Sequence, residues 1–160
     1  MKKTVYENPM SYEYNAERRG AKYNINGKWA NHGEFLESVA KCHRGLDYII
    51  NPNTSYDTGS DIESEQASVK SSGATLACIF GNSKEEILQE YFEKVASTKW
   101  IWIVNVDEEI TEYEMNRKEF KEFAEEWSQL VLESSKTKRR KVRFKTASGK
   151  MIQWFEERVV

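Results

Sequence analysis

The chain has 160 residues, 39% of them hydrophobic and 31% charged, with a formal net charge of -2. This length suits one domain with a sizeable core, and the composition is that of a folded globular chain rather than a disordered one. The charge excludes a global positive field, so any nucleic-acid partner must be held by a local patch. No apolar run of about 18 residues exists to cross a membrane as a helix.

The N-terminus opens with Lys2 and Lys3, but Glu7, Asn8 and Pro9 interrupt it before an apolar segment develops, so no signal peptide is expected. Cys42 and Cys78 stand apart without CxxC spacing, which leads us to expect reduced thiols in a cytoplasmic protein. His32 and His43 are too few and too scattered for a histidine-rich metal site and are expected to be structural. Residues 1–20 are polar and tyrosine-rich and read as an irregular arm. Residues 22–29 read as a small hairpin around Gly27. Together they form an N-terminal arm and hairpin, residues 1–30, ahead of a single domain over residues 31–160.

Asn31 is a good N-cap for a helix running to about His43, with Gly45 as its stop. Phe35, Leu36, Val39 and Ala40 make its apolar stripe, and Glu34 and Glu37 are neighbours on its surface. Residues 46–50 suit a short strand, and Asn51-Pro52-Asn53 is a turn signal. Residues 59–63 and 66–71 then read as two short strands joined at Ser64-Glu65. In that register Asp61 lies opposite Ser68 and Glu63 opposite Gln66. Asp61, Glu63, Gln66, Ser68 and Lys70 therefore project to one side, with Ile62, Ala67 and Val69 on the other.

Residues 74–80 are apolar and fit either a strand or a buried helical turn. Ser83 and Glu86 form a capping-box pattern, and the helix they open buries Ile87, Leu88, Tyr91, Phe92 and Val95. Residues 99–106 are the strongest strand and are expected to be central. A turn at residues 107–109 leads to a returning strand over 110–115, with Glu112 and Glu114 outward. Asn116 caps a long helix to about Ser134 with Phe120, Phe123, Ala124, Trp127, Leu130 and Val131 at helical spacing. The five tryptophans read as core rather than base-stacking platforms. Residues 136–145 are a concentrated basic stretch, and its clustered Lys138, Arg139, Arg140, Lys141 and Arg143 would supply phosphate contacts. A turn at Ala147-Ser148-Gly149 leads to an expected last strand over residues 150–155. This order gives an α/β domain with a mixed central sheet flanked by helices.

An acid-bearing helix, then an Asp on one strand, a lysine on the next, a helix and an apolar strand resembles the PD-(D/E)xK nuclease superfamily. The resemblance covers roughly residues 31–106. Its local wording is Gly59-Ser60-Asp61-Ile62-Glu63 followed by Ser68-Val69-Lys70-Ser71-Ser72. It implies a restriction-endonuclease-like fold and a metal-dependent endonuclease cutting DNA with Mg²⁺, for which Mn²⁺ can substitute. Asp61 and Lys70 would match the family's Asp and lysine, with Asp61, Glu63 and Lys70 as the catalytic set. Asp61, Glu63 and Glu37 would be metal ligands, with Glu85 or Glu86 as helix-borne alternatives; Glu34 and Glu65 fit less well. Two acids and a lysine suit the chemistry because hard Mg²⁺ prefers carboxylate oxygens, and a cation beside them orients water or offsets charge. A homodimer is implied because cutting a duplex needs two active sites.

The departure is Ser68, which stands two residues before the lysine where the family usually carries an acid. A catalytically inactive nuclease-like module that binds nucleic acid or a protein is the alternative. Without the family, Asp61 and Lys70 read as an exposed cross-strand ion pair, worth about 0–1 kcal/mol.

Overall fold

The computed structural model describes residues 1–10, 13–15, 22–25, 28–46, 60–77, 83–104, 109–132 and 140–160. In chain order these hold strands β1 (Lys2–Glu7), β2 (Glu13–Asn15), β3 (Lys22–Ile25) and β4 (Lys28–Ala30), then helix α1 (His32–His43). Strands β5 (Ala67–Ser71) and β6 (Thr75–Ala77), helix α2 (Lys84–Lys94), and strands β7 (Lys99–Val104) and β8 (Glu109–Asn116) follow. Helix α3 (Arg117–Trp127), strands β9 (Ser128–Leu132) and β10 (Arg140–Phe144) and helix α4 (Gly149–Glu156) complete the series.

The fold is mixed α/β. Its central sheet has the order β1-β8-β7-β5, with β5 and β7 parallel and the other pairs antiparallel. The run Lys99–Val104 is interior to this sheet, as its apolar character predicts. Alternation along β7 divides the core in two. Trp100 and Trp102 face a layer made by α2, α3, α4 and a second sheet of order β6-β10-β9. Ile101 and Ile103 face α1 and Tyr23, which comes from a third small sheet of order β2-β3-β4. Each fully buried large apolar side chain contributes about 1.5–3 kcal/mol, so the aromatic layer around Trp100, Trp102, Phe120, Phe123 and Phe155 dominates cohesion.

Local signals place three helices correctly. Asn31 Oδ1 accepts the Glu34 amide at 2.8 Å, and Gly45 closes α1 with φ +69°. The Ser83 hydroxyl accepts the Glu86 amide at 3.2 Å; the Glu86 carboxylate meets that same hydroxyl rather than the Ser83 backbone. Asn116 and Glu119 form a full capping box at the start of α3.

Four expectations change. Residues 2–7 are not irregular but form β1, zipped against the whole of β8 from Lys2↔Glu114 to Glu7↔Glu109. The helix begun at Asn116 ends at Trp127 rather than near Ser134, because Ser128 is extended and residues 128–132 pair with β10. Residues 150–155 lie in helix α4, capped by Ser148, and bury Met151, Trp154 and Phe155 at helical spacing. Glu112 does not face outward: it is buried, held by both Arg44 terminal nitrogens at 2.9 and 2.8 Å and by the Tyr6 hydroxyl at 2.7 Å. Of the apolar segment 74–80, Thr75–Ala77 form strand β6 and residues 78–80 lie outside the described residues. The expected strand at 46–50 beyond Leu46, the turn at 51–53 and the turn residues 107–108 lie outside the described residues, as does Cys78.

Candidate functional site

The stretch 60–71 folds on its own edge. Ile62 and Ala67 exchange both backbone hydrogen bonds, at 2.9 and 3.1 Å, which is the register expected from a turn centred on Ser64-Glu65. The turn is a single 3-10 turn, Glu63–Glu65, closed by Gln66 in the left-handed region with φ 50°. The first strand is reduced to the one bridge at Ile62. In an antiparallel ladder the next bonded pair would be Ser60 and Val69. Instead the Asp61 carboxylate accepts the Val69 amide through Oδ2 at 2.7 Å, in place of that backbone carbonyl. Asp61 thus ends the hairpin and is fixed beside β5, the edge strand of the central sheet.

Lys70 follows one residue later. Its ammonium has no hydrogen bond or ion pair among the described residues, yet it feels the charges of Asp61 and of Glu37 on α1. Burial pulls the Lys70 pKa down, and the two carboxylates oppose that shift without cancelling it. Burial also raises the Glu37 pKa, and the neighbouring Asp61 and Glu34 charges add to this; the Lys41 ammonium, at 2.8 Å, works against it. Three segments distant in sequence (helix α1, the turn and strand β5) therefore bring Glu37, Asp61 and Lys70 into one electrostatic neighbourhood. Its groups hold incompletely compensated charge.

Other residues singled out from the sequence lie elsewhere. Glu63 is exposed on the 3-10 turn and is not among the charges acting on Lys70. Glu34 bonds to its own N-cap residue, Asn31, at 2.9 Å. Glu65 pairs with Arg44 at 2.7 Å and with Lys99 at 3.5 Å. Glu85 and Glu86 are exposed in the first turn of α2, and neither acts on Lys70. Ser68 is buried in a hydroxyl chain, 2.6 Å from Ser97 Oγ, which is in turn 2.9 Å from Ser60 Oγ. Among the described residues no three His, Cys, Asp or Glu side chains gather as a metal cage. Two acids nevertheless fit Mg²⁺, which commonly takes one or two carboxylates and completes its shell with water and phosphate oxygens.

Lys138 and Arg139 lie outside the described residues. Arg140, Lys141 and Arg143 lie on β10, the middle strand of the second sheet. Val142 and Phe144 turn into the core, so Lys141 and Arg143 share the outer face. Arg143 stands directly opposite Thr75 of β6, and Thr75 lines a cavity that Lys70 also lines. The basic strand face therefore leads toward the lysine.

That cavity, of about 310 Å³, adjoins a second of about 390 Å³, and both are lined by His32, Ser71 and Ser72. They open where the parallel strands β5 and β7 end, a position where open α/β sheets commonly take ligands. His32 is half-buried, its Nδ1 lies 3.2 Å from the Tyr23 hydroxyl, and burial lowers its pKa, so the ring is neutral near pH 7. Its place in this cleft goes beyond the structural role expected for it. The only local signal was its position immediately after the Asn31 cap, because the first residue of a helix points out of the helix end.

Comparison of the chain with family models, with curated protein sequences and with solved structures returns no match.

Proposed function

We propose that this protein is a metal-dependent endonuclease acting on DNA, with Glu37, Asp61 and Lys70 as its working centre. The observation that carries this reading is a half-buried lysine that feels the charges of two carboxylates and has no ion pair among the described residues. The resemblance to PD-(D/E)xK nucleases around residues 59–72, which rests on the same Asp61 and Lys70, agrees with it. Glu37 and Asp61 would hold Mg²⁺, which when bound polarises a phosphodiester and lowers the pKa of a bound water. Asp61 enters with one oxygen already committed to the Val69 amide, so its orientation is set by the strand edge. Lys70 offers a half-buried cation whose donors have no partner among the described residues, suited to holding a phosphate oxygen or orienting water. Lys141 and Arg143 would guide the backbone of the nucleic acid toward it.

Ser68 favours a second reading. Where the resemblance expects a third acid, this side chain is committed to Ser97, which suits a nuclease-like module that binds DNA without cutting it. Plasmid cleavage with Mg²⁺ or Mn²⁺ separates the two, using Lys70→Met as the control. Cleavage by the native chain that is lost in the variant supports the nuclease. Cleavage that persists in Lys70→Met sinks this centre, and DNA binding without any cleavage supports the inactive module.

A further inference from the structure

The cleft formed by the two adjoining cavities differs from the rest of the molecule in its chemistry. The chain carries 26 acidic residues, yet the residues lining the two cavities include no Asp or Glu. They do include Lys70, His32, Ser71, Ser72, Thr75 and Ser148. The Ser72 Oγ accepts the Ala147 amide at 2.8 Å, which leaves its own proton free to donate. Ser148 caps α4 by accepting the Met151 amide at 3.3 Å, and the Ser148 carbonyl takes the Ile152 amide. The amides of Gly149 and Lys150, first-turn donors of that helix, remain for a ligand. Nδ1 of His32 shares a hydrogen bond with the Tyr23 hydroxyl; in the tautomer in which Tyr23 donates, the ring carries its proton on Nε2 and is a donor as well.

We infer that this cleft is a phosphate-binding site: the His32 ring and the Ser72 hydroxyl, which line both cavities, receive phosphate oxygens, with the Lys70 ammonium on the side of the first cavity and the α4 N-terminal amides on the side of the second. In the nuclease reading, on which the role of this site rests, it holds a phosphate of the strand next to the one being cut. Lys70, which lines the first cavity and feels the Glu37 and Asp61 charges, then links the held phosphate to that pair. The arrangement needs no metal, because every group in it is a hydrogen-bond donor or a cation. A neutral histidine contributes direction without adding charge, and the helix N-terminus adds partial positive charge where the anion lies.

The site is tested in EDTA, so that binding is read apart from any cleavage. Inorganic phosphate and a short 5′-phosphorylated oligonucleotide are titrated into the full chain, following the His32 ring nitrogens and the Gly149 and Lys150 amides by NMR. Both ligands should shift these signals together. Gly149→Asp is the decisive variant: a Cβ there meets no atom within 4 Å, and an acid in a first turn suits a helix. It should keep the native melting temperature while weakening phosphate binding by about tenfold or more, which corresponds to roughly 1.4 kcal/mol. Tighter binding of the oligonucleotide, reduced by Arg143→Glu, assigns the site to a nucleic-acid strand; equal binding of the two assigns it to a small phosphorylated ligand. Both results support the cleft. Unmoved His32 and Gly149 signals, or a Gly149→Asp variant that binds phosphate as well as the native chain, would overturn it. Phosphate binding without metal-dependent cleavage leaves the cleft standing and removes the nuclease; cleavage without phosphate binding does the reverse.

Discussion

Asp61 has two separable jobs, and a pair of substitutions divides them. Its Oδ2 accepts the Val69 amide at 2.7 Å, replacing a ladder carbonyl at a half-buried sheet edge. Its charge acts on Lys70 and Glu37. Asp61→Ala removes both functions and leaves the Val69 amide without its acceptor. An unsatisfied, partly buried donor costs about 1–3 kcal/mol. For a chain of this size each kcal/mol moves the melting temperature by about 2–4 °C, so a central value of about 2 kcal/mol gives a fall of roughly 4–8 °C. Asp61→Asn keeps a carbonyl oxygen in the same place and removes only the charge. Its melting temperature should stay within about 2 °C of the native chain, since an amide oxygen still accepts the bond. Cleavage should respond in the opposite order of subtlety. Both variants lose the carboxylate that would hold Mg²⁺, and a loss of about 4 kcal/mol of transition-state stabilisation slows cutting by roughly 10³-fold. Thermal unfolding and plasmid cleavage on the same preparations provide the check. If Asp61→Asn cuts DNA like the native chain, Asp61 is only a strand cap. If both variants melt equally early, the hydrogen-bond account of the hairpin is wrong.

Three further outcomes follow from the same geometry. Arg44→Met strands the buried Glu112 carboxylate with only the Tyr6 hydroxyl, and should destabilise by about 3–5 kcal/mol in urea unfolding; adding Glu112→Gln should recover part of the loss, and strict additivity would refute the coupling. Burial raises the Glu37 pKa above its ordinary 4.5, so between the two values the folded state keeps a proton that the unfolded chain has released. Stability from this group therefore falls as pH rises through that window, and Glu37→Gln should gain on the native chain from about pH 4.5 upward; a melting-temperature gap that closes instead would contradict it. Lys141→Gln and Arg143→Gln should each weaken DNA binding across all sequences and lower the salt-dependence slope by about 1, read by titrations at several salt concentrations; unchanged slopes would remove β10 from the interface.

Much of this chain was written locally. Asn31, Ser83 and Asn116 start their helices because a short polar side chain there satisfies amides that no helix can satisfy internally. The Ile62↔Ala67 register follows from one apolar face, since a slip of one residue would expose Ile62 and Ala67. Asp61 and Lys70 were legible as neighbours for the same reason. Tertiary structure decided what local pattern leaves open. Strand β1 exists because β8, more than a hundred residues away, offers it an edge. Residues 128–132 fit a helical stripe as well as a strand, and pairing with β10 chose the strand. Residues 150–155 fit a strand, and the aromatic layer that Trp154 and Phe155 fill chose the helix. Glu112 looked solvent-facing until Arg44 and Tyr6 were brought to it. The candidate site divides in the same way: spacing alone placed Asp61 beside β5, whereas packing of α1 on that strand brought Glu37 to it and His32 to the cleft. Packing likewise committed Ser68 to Ser97. Side-chain type and local spacing set what each residue is able to do, but which charges meet depends on long-range contacts, because a carboxylate's role is defined by the groups that share its dielectric surroundings.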